Sequence, residues 1–234
     1  MEKHNQIDAS NKGVVKIGDI DYIDQLKIGD KQLLKQIFLL HKDKTYVDLI
    51  KYTYTKYPYF AINSTIANRY LSDDQIELVN SIKVKEDSVV LYTIGYEGVS
   101  LEDYLNKLIK NGITILIDVR NNPMSMKYGF NKSQLINSCK SIGIEYIHFP
   151  EVGIVSDQRQ QLVNQEDYDK LFDKYRLDNL KNTVGTQRKI LEILKINKRV
   201  ALTCFEANIC QCHRKHLAEA ITKLDDWQYE LKHI

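Results

Sequence analysis

Apolar and polar positions follow two different rhythms along this chain, and the change falls near residue 87. Before it, apolar residues recur at helical spacing. Leu33, Leu34, Ile37 and Phe38 share one face of a predicted helix that Asp30 can cap. Tyr46, Val47, Ile50, Tyr54 and Tyr57 form the stripe of a second helix that ends before Pro58. Ser72 with Gln75 makes a capping box for a third, carrying Ile76, Val79 and Ile82. Residues 1–28 lack such a period and are expected to be partly mobile, and Lys83 to Asp87 reads as a charged hinge. Residues 1–87 are therefore expected to form a helical N-terminal region.

From residue 88 short continuous apolar runs alternate with amphipathic stretches. Strands are predicted at Val89 to Gly95, Ile113 to Val119, Ile144 to Phe149 and Arg199 to Cys204, with a last one near Trp227 to His233. Between them, helices are predicted from Ser100, which caps with Asp103 and stops at Asn111-Gly112, and from Lys132 to Ile142, stopping at Gly143. Further helices fall near Asp167 to Tyr175, Val184 to Ile196 and His213 to Leu224. This order predicts an α/β fold over residues 88–234: a parallel, doubly wound, Rossmann-like sheet with helices on both faces.

Composition narrows the class. With 43% hydrophobic and 27% charged residues in 234, the chain is neither disordered nor collagen-like. Lys+Arg 33 against Asp+Glu 31 leaves a net charge of +2, so binding of anions has to be local. No apolar run is long enough to span a membrane, and the polar N-terminus lacks a signal-peptide core, so no membrane partner and a cytoplasmic location are expected. Of the four cysteines, Cys204, Cys210 and Cys212 crowd one segment, which points to a site of reduced thiols.

In a doubly wound sheet the ligand crevice lies beyond the carboxyl ends of the strands. There the sequence sets Gly95-Tyr96-Glu97-Gly98, Asp118-Val119-Arg120, His148-Phe149-Pro150-Glu151, and Cys204-Phe205-Glu206 followed by Cys212-His213-Arg214. A thiol near a helix N-terminus and an arginine has its thiolate stabilised. Cys204 or Cys212 is thus a candidate nucleophile or redox group, His213 a proton carrier, and Glu206 a residue that orients His213 or Arg214. Two alternatives stay open: Cys204, Cys210, Cys212 and His213 as a zinc set, although the adjacency of Cys212 and His213 is awkward, or buried cysteines that only pack. No metal ligand is assigned. Gly95 and Gly98 before a helix can favour an anion or simply serve a tight turn. Arg120, Lys127, Arg159 and Arg214 bind an anionic substrate or else pair with Asp118, Glu97, Glu151 and Glu206. Lysines among the five tyrosines from Tyr46 to Tyr59 suit stacking on nucleic acid, or the packing of one amphipathic helix on its neighbour. Self-association into a homo-oligomer is left open. The spacing from either cysteine to Arg214 does not fit cysteine-dependent phosphatases. Asp118-Val119-Arg120 is similar to an element of rhodanese-like domains, but their glycine-containing sulfur loop is missing.

The segments Tyr92-Thr93-Ile94-Gly95-Tyr96-Glu97-Gly98, Ile117-Asp118-Val119-Arg120 with Pro123 and Ser125, and Tyr146-Ile147-His148-Phe149-Pro150-Glu151-Val152-Gly153 occur in that order. They are followed by Ala201-Leu202-Thr203-Cys204-Phe205-Glu206 with Cys212-His213-Arg214. Together they resemble the domain of unknown function family DUF488 over about residues 90–222, with residues 1–88 similar to the helical extension of its longer members. The resemblance implies shared polar positions at Tyr96, Asp118, Arg120, His148, Glu151, Cys204, Glu206, Cys212, His213 and Arg214, with Cys210 an addition and Val152 in place of the usual Leu. It carries fold and site but no reaction. The reading is an enzyme, hydrolase or transferase, acting on an anionic, nucleotide-like or nucleic-acid substrate. Cys204, Glu206, Cys212, His213 and Arg214 would do the chemistry. Gly95, Tyr96, Glu97, Asp118, Arg120, Ser125, His148, Glu151 and Arg159 would bind. The alternatives are a non-catalytic DNA- or RNA-associated or regulatory protein, and a structural metal- or ligand-binding domain.

Overall fold

The structure is a computed structural model that describes Ile7–Asp8, Val15–Lys16, residues 23–84, 87–155, 162 and 164–234. Arg159, two residues of the charged hinge and most of segment 1–28 lie outside the described residues. The chain forms two compact units, Met1–Ile50 and Lys51–Ile234. In the first, β1 (Ile7–Asp8) and β2 (Val15–Lys16) pair antiparallel, and α1 spans Ile28–His41. Lys27, not Asp30, occupies the N-cap of α1. Asp30 lies in its first turn, where a carboxylate still complements the positive end of the helix. None of the α1 residues is buried.

In the second unit, α2 (Tyr46–Lys56, which starts in the first) is followed by a 3-10 turn at Pro58–Ala61, α3 (Ala67–Tyr70) and α4 (Asp73–Ile82). The Ser72–Gln75 capping box starts α4: the Gln75 N–H donates to Ser72 Oγ at 3.4 Å and the Ser72 N–H to Gln75 Oε1 at 3.0 Å. Tyr54 and Ile76 pack on a small core of Ala61, Ala67 and Val79. Asn63 Nδ2 donates to the Ile142 carbonyl at 2.8 Å, tying these helices to the sheet layer.

The sheet comprises β3 (Val90–Gly95), β4 (Ile115–Asp118), β5 (Glu145–His148), β6 (Arg199–Cys204) and β7 (Glu230–His233), in the order β5-β4-β6-β3-β7 with every pair parallel. Because side chains alternate along a strand, each strand serves two cores. Val90, Tyr92 and Ile94 of β3, Leu116 of β4 and Ala201 of β6 pack on Tyr104 and Leu108 of α5 (Leu101–Lys110) and Leu135 and Cys139 of α6 (Lys132–Ser141). Leu91, Ile115, Ile117, Val200 and Leu202 face the other way, onto α7 (Gln165–Lys174), α8 (Val184–Asn197) and α9 (His213–Ile221). A π-helical segment, Tyr175–Leu180, extends α7; its wider turns are invisible to a search for a 3.6-residue period. Among the described residues no helix is long and apolar enough to cross a membrane.

Strand order explains the two layers. From β3 the chain moves through α5 and α6 to β4 and the β5 edge. It then returns to insert β6 between β4 and β3, and passes beyond β3 to β7. Right-handed crossovers running in opposite directions lie on opposite faces, as these helices do. The loop leaving β6 therefore turns away from the loops leaving both neighbours, which opens a crevice at the carboxyl end of β6. Before they part, the β3 and β6 exits are still joined, and Gly95 sits at that junction. The Tyr96 and Glu97 N–H groups donate to the Phe205 carbonyl at 3.1 and 2.8 Å, so the β3 and β6 exits run in contact. A Cβ on Gly95 would lie 2.0 Å from the Glu206 carbonyl oxygen. Gly95→Ala is expected to destabilise the protein by about 1–3 kcal/mol, the usual cost of overpacking against backbone, read as a lower urea midpoint at unchanged m-value.

Candidate functional site

A cleft of about 280 Å³ occupies the crevice. Its floor and walls are Tyr96, Arg120, Cys204 and His213, with Ser125 and Ile154. Asn121, Asn122, Met124, Met126 and Phe205 complete the lining.

One wall is organised by Asp118, the last residue of β4, which is buried completely. Arg120 curls back on it. Its backbone N–H donates to Oδ1 at 3.0 Å, Nε to Oδ1 at 2.8 Å and to Oδ2 at 3.0 Å, and a terminal guanidinium nitrogen makes a further bond to Oδ2. The Tyr146 hydroxyl adds a fourth donor group to Oδ2 at 2.6 Å. The other terminal nitrogen of Arg120 donates to the Tyr96 hydroxyl at 2.7 Å and to the Phe130 carbonyl at 2.9 Å. Burial works against the Arg120 charge, but the bonds to Asp118 outweigh it and move its pKa up. Burial likewise raises the Tyr96 and Tyr146 hydroxyls. The Tyr96 ring is clamped by Phe130, stacked at 4.3 Å, and by the edge of Phe205 at 5.4 Å.

The floor is the cysteine–histidine cluster. Cys204 ends β6 and His213 opens α9, with Cys212 at its N-cap. His213 Nε2 lies 2.9 Å from the Val119 carbonyl oxygen, which can only accept, so Nε2 carries the proton and Nδ1 is the acceptor. That acceptor lies 3.6 Å from Cys204 Sγ. The single thiol proton of Cys204 is donated to Glu206 Oε2 at 3.1 Å. Cys212 is the more deeply enclosed thiol: burial, and then the neighbouring Cys204, push it well above the ordinary range. The Cys204 and Cys212 sulfurs and a His213 nitrogen lie within 4.8 Å of one another, so this cluster could hold a metal ion. Cys210 is exposed and stands outside it, and all four cysteines are free of disulfides.

The remaining predicted site residues are dispersed around this centre. One terminal guanidinium nitrogen of Arg214 is bonded to the Glu206 carbonyl and the other donates to the Ala207 carbonyl at 3.3 Å, so Arg214 braces the β6 exit and does not line the cleft. Glu97 accepts from the Ala207 N–H at 3.0 Å and does the same from the opposite side. His148 lies off the cleft: Lys132 Nζ is 3.0 Å from its Nδ1, and its Nε2 is 2.8 Å from the Arg120 carbonyl. Glu151 accepts from Thr186 Oγ1 at 2.8 Å, also outside the cleft. Lys127 reaches over the Phe130 ring and donates to the Tyr96 carbonyl at 2.6 Å. Sequence reasoning gave no role to Asn121, Asn122, Met124, Met126, Ile154 and Phe205. Their nearest signal is position, since four of the six lie in the long loop after β4.

A family model described as "Domain of unknown function DUF488" matches residues 100–221. The match covers more than half of the chain, which therefore belongs to this family. Neither the curated proteins nor the solved structures compared with the chain gave a match.

The wall predicts an asymmetric mutational response. Asp118→Ala leaves the Arg120 charge buried without its partner and is expected to cost about 3–5 kcal/mol. Asp118→Ala combined with Arg120→Met removes both charges and is expected to cost less than Asp118→Ala alone. Urea denaturation of both variants measures the difference.

Proposed function

We propose that this member of the DUF488 family is an enzyme, a hydrolase or transferase, that works through a covalent intermediate on Cys204. The observation that carries the reading is the orientation of His213, whose Nε2–H is spent on the Val119 carbonyl while Nδ1 faces Cys204 Sγ at 3.6 Å. A nucleophile, a base and a group that orients the base are the arrangement covalent catalysis requires. Of the two buried candidate thiols, Cys204 lines the cleft, whereas burial holds the proton on Cys212.

In this reading Cys204 Sγ attacks an electrophilic centre of the substrate and its proton passes to His213 Nδ1. The leaving group takes that proton, and water or a second substrate then releases the product from sulfur. At rest the Cys204 thiol donates to the Glu206 carboxylate. Activation requires the thiol proton to pass to His213 instead. An anionic group, or an oxygen that becomes negative during attack, is received by the Tyr96 hydroxyl and the guanidinium of Arg120, which are positioned before the substrate arrives. Gly95, Glu97 and Arg214 shape the loop that carries Cys204.

p-Nitrophenyl acetate tests the reading on the full chain. A burst of p-nitrophenolate, with one acetyl group found on Cys204 by mass spectrometry, is expected. Cys204→Ser should abolish the burst, and His213→Gln should slow it by about 10²-fold or more. Acetylation confined to exposed Cys210, with Cys204 untouched, would overturn it.

A second reading is favoured by one specific observation: the donors of Cys204, Cys212 and His213 are already gathered, and the outer nitrogen of His213 is fixed by a backbone carbonyl, as zinc-binding histidines usually are. A tetrahedral site with Zn–S of about 2.3 Å and Zn–N of about 2.0–2.1 Å separates sulfur from nitrogen by about 3.6 Å, which is the distance found between Cys204 Sγ and His213 Nδ1. Bound zinc would supply a Lewis acid there. On that reading, elemental analysis finds one zinc per chain and a chelator increases alkylation of Cys204; zinc-free protein with unchanged labelling retires it.

A further inference from the structure

The geometry points to a substrate that presents a flat apolar group to the mouth of the cleft and at most one negative charge to its floor, with Met124 and Met126 selecting the apolar group. This rests on the assignment of Cys204 as the nucleophile.

Apart from Met1, the chain contains two methionines, and both line this cleft. Met124 is 74% exposed and Met126 is wholly exposed. Phe205, 42% exposed, shares the lining. Large apolar side chains left in water at the mouth of a polar-floored cleft mark a surface that is covered in use. Their backbone is tied down. The Met124 N–H donates to Asn122 Oδ1 at 3.1 Å, the Lys127 N–H to Ser125 Oγ at 3.2 Å, and Lys127 Nζ to the Tyr96 carbonyl at 2.6 Å. Adaptable thioether side chains thus project from a fixed loop, a combination suited to gripping a planar group.

The charges set the other half of the substrate. Among the described residues Arg120 is the one cation in the lining, and Asp118 compensates it. Arg214 is turned toward the Glu206 and Ala207 carbonyls, and Glu206 brings a carboxylate to the sulfur. Polyphosphates and nucleic-acid backbones need several uncompensated cations, which the described residues of this lining do not offer. Size agrees: a cavity of about 150 Å³ accepts a benzene ring, so the cleft, at about 280 Å³, has room for one ring and a small reacting group.

Alkylation kinetics test this in the full chain, with exposed Cys210 as an internal reference. Iodoacetamide and its N-phenyl analogue iodoacetanilide react identically: sulfur forms a bond to the methylene carbon, iodide leaves and the thiol proton is lost. Covering about 60 Å² of apolar surface corresponds to about a tenfold effect. The Cys204-to-Cys210 labelling ratio is therefore expected to be about tenfold higher with iodoacetanilide. That advantage should collapse in Met124→Ala/Met126→Ala and return in Met124→Leu/Met126→Leu. Equal ratios for the two reagents, or an advantage that survives the alanine variant, overturn the apolar subsite. Protection of Cys204 by tripolyphosphate overturns the charge limit. Labelling of Cys210 with Cys204 inert to both reagents overturns the nucleophile assignment itself, so the two failures are distinguishable.

Discussion

The carboxylate of Asp118 is surrounded by donors: the backbone and side chain of Arg120 and the hydroxyl of Tyr146 converge on its two oxygens. Removing two charges from water is costly, and a buried pair is retained only when hydrogen bonds use up its remaining lone pairs and protons. Here those bonds tie three strands together. Tyr146 comes from β5, Asp118 from β4, and Tyr96, reached through Arg120, follows β3. The wall of the cleft is one polar assembly, and the stacked Tyr96–Phe130 pair closes its apolar side.

Against that wall, β6 and α9 bring a thiol and an imidazole whose roles are set by small differences in surroundings. Two cysteines whose sulfurs lie within 4.8 Å of each other differ in surroundings, because Cys204 borders the cleft and Cys212 does not. Two histidines near strand ends differ in a similar way. His213 presents a ring nitrogen to sulfur, whereas both nitrogens of His148 are engaged by Lys132 and the Arg120 backbone.

Much of this was legible in the sequence. The buried strands announced themselves as unbroken apolar runs; β6 begins and ends where the pattern places it, and the others are shorter by a residue or more. The Ser72 and Ser100 caps follow from side chains that can reach back to the first free N–H groups. The gathering of Tyr96, Arg120, Ser125, Cys204 and His213 follows from the rule that loops at the carboxyl ends of parallel strands converge. Strand order was not legible, because apolar runs do not record their neighbours. Order puts β5 at an edge, so His148 and Glu151 end outside the cleft, and it puts β6 in the middle, with Cys204 at the centre. Arg214 illustrates a different limit. Its carbonyl partners exist only because Gly95 lets the Glu206 backbone come close, a consequence of two distant glycine and arginine positions that no local pattern reveals. Met124 and Met126 gave no signal beyond lying in a long loop.

The insertion of β6 between β3 and β4 also constrains how the molecule comes to exist. Strands made early on the ribosome, at Val90–Gly95 and Ile115–Asp118, have no direct pairing with each other; the ladder that joins them is supplied by Arg199–Cys204. Their inner edges wait, unpaired, while roughly eighty more residues are synthesised, an interval of several seconds at about 5–20 residues per second. The strand that ends in Cys204 is therefore also the keystone of the nascent sheet, and a chain halted before it would expose both edges of β3 and the inner edge of β4 to its neighbours.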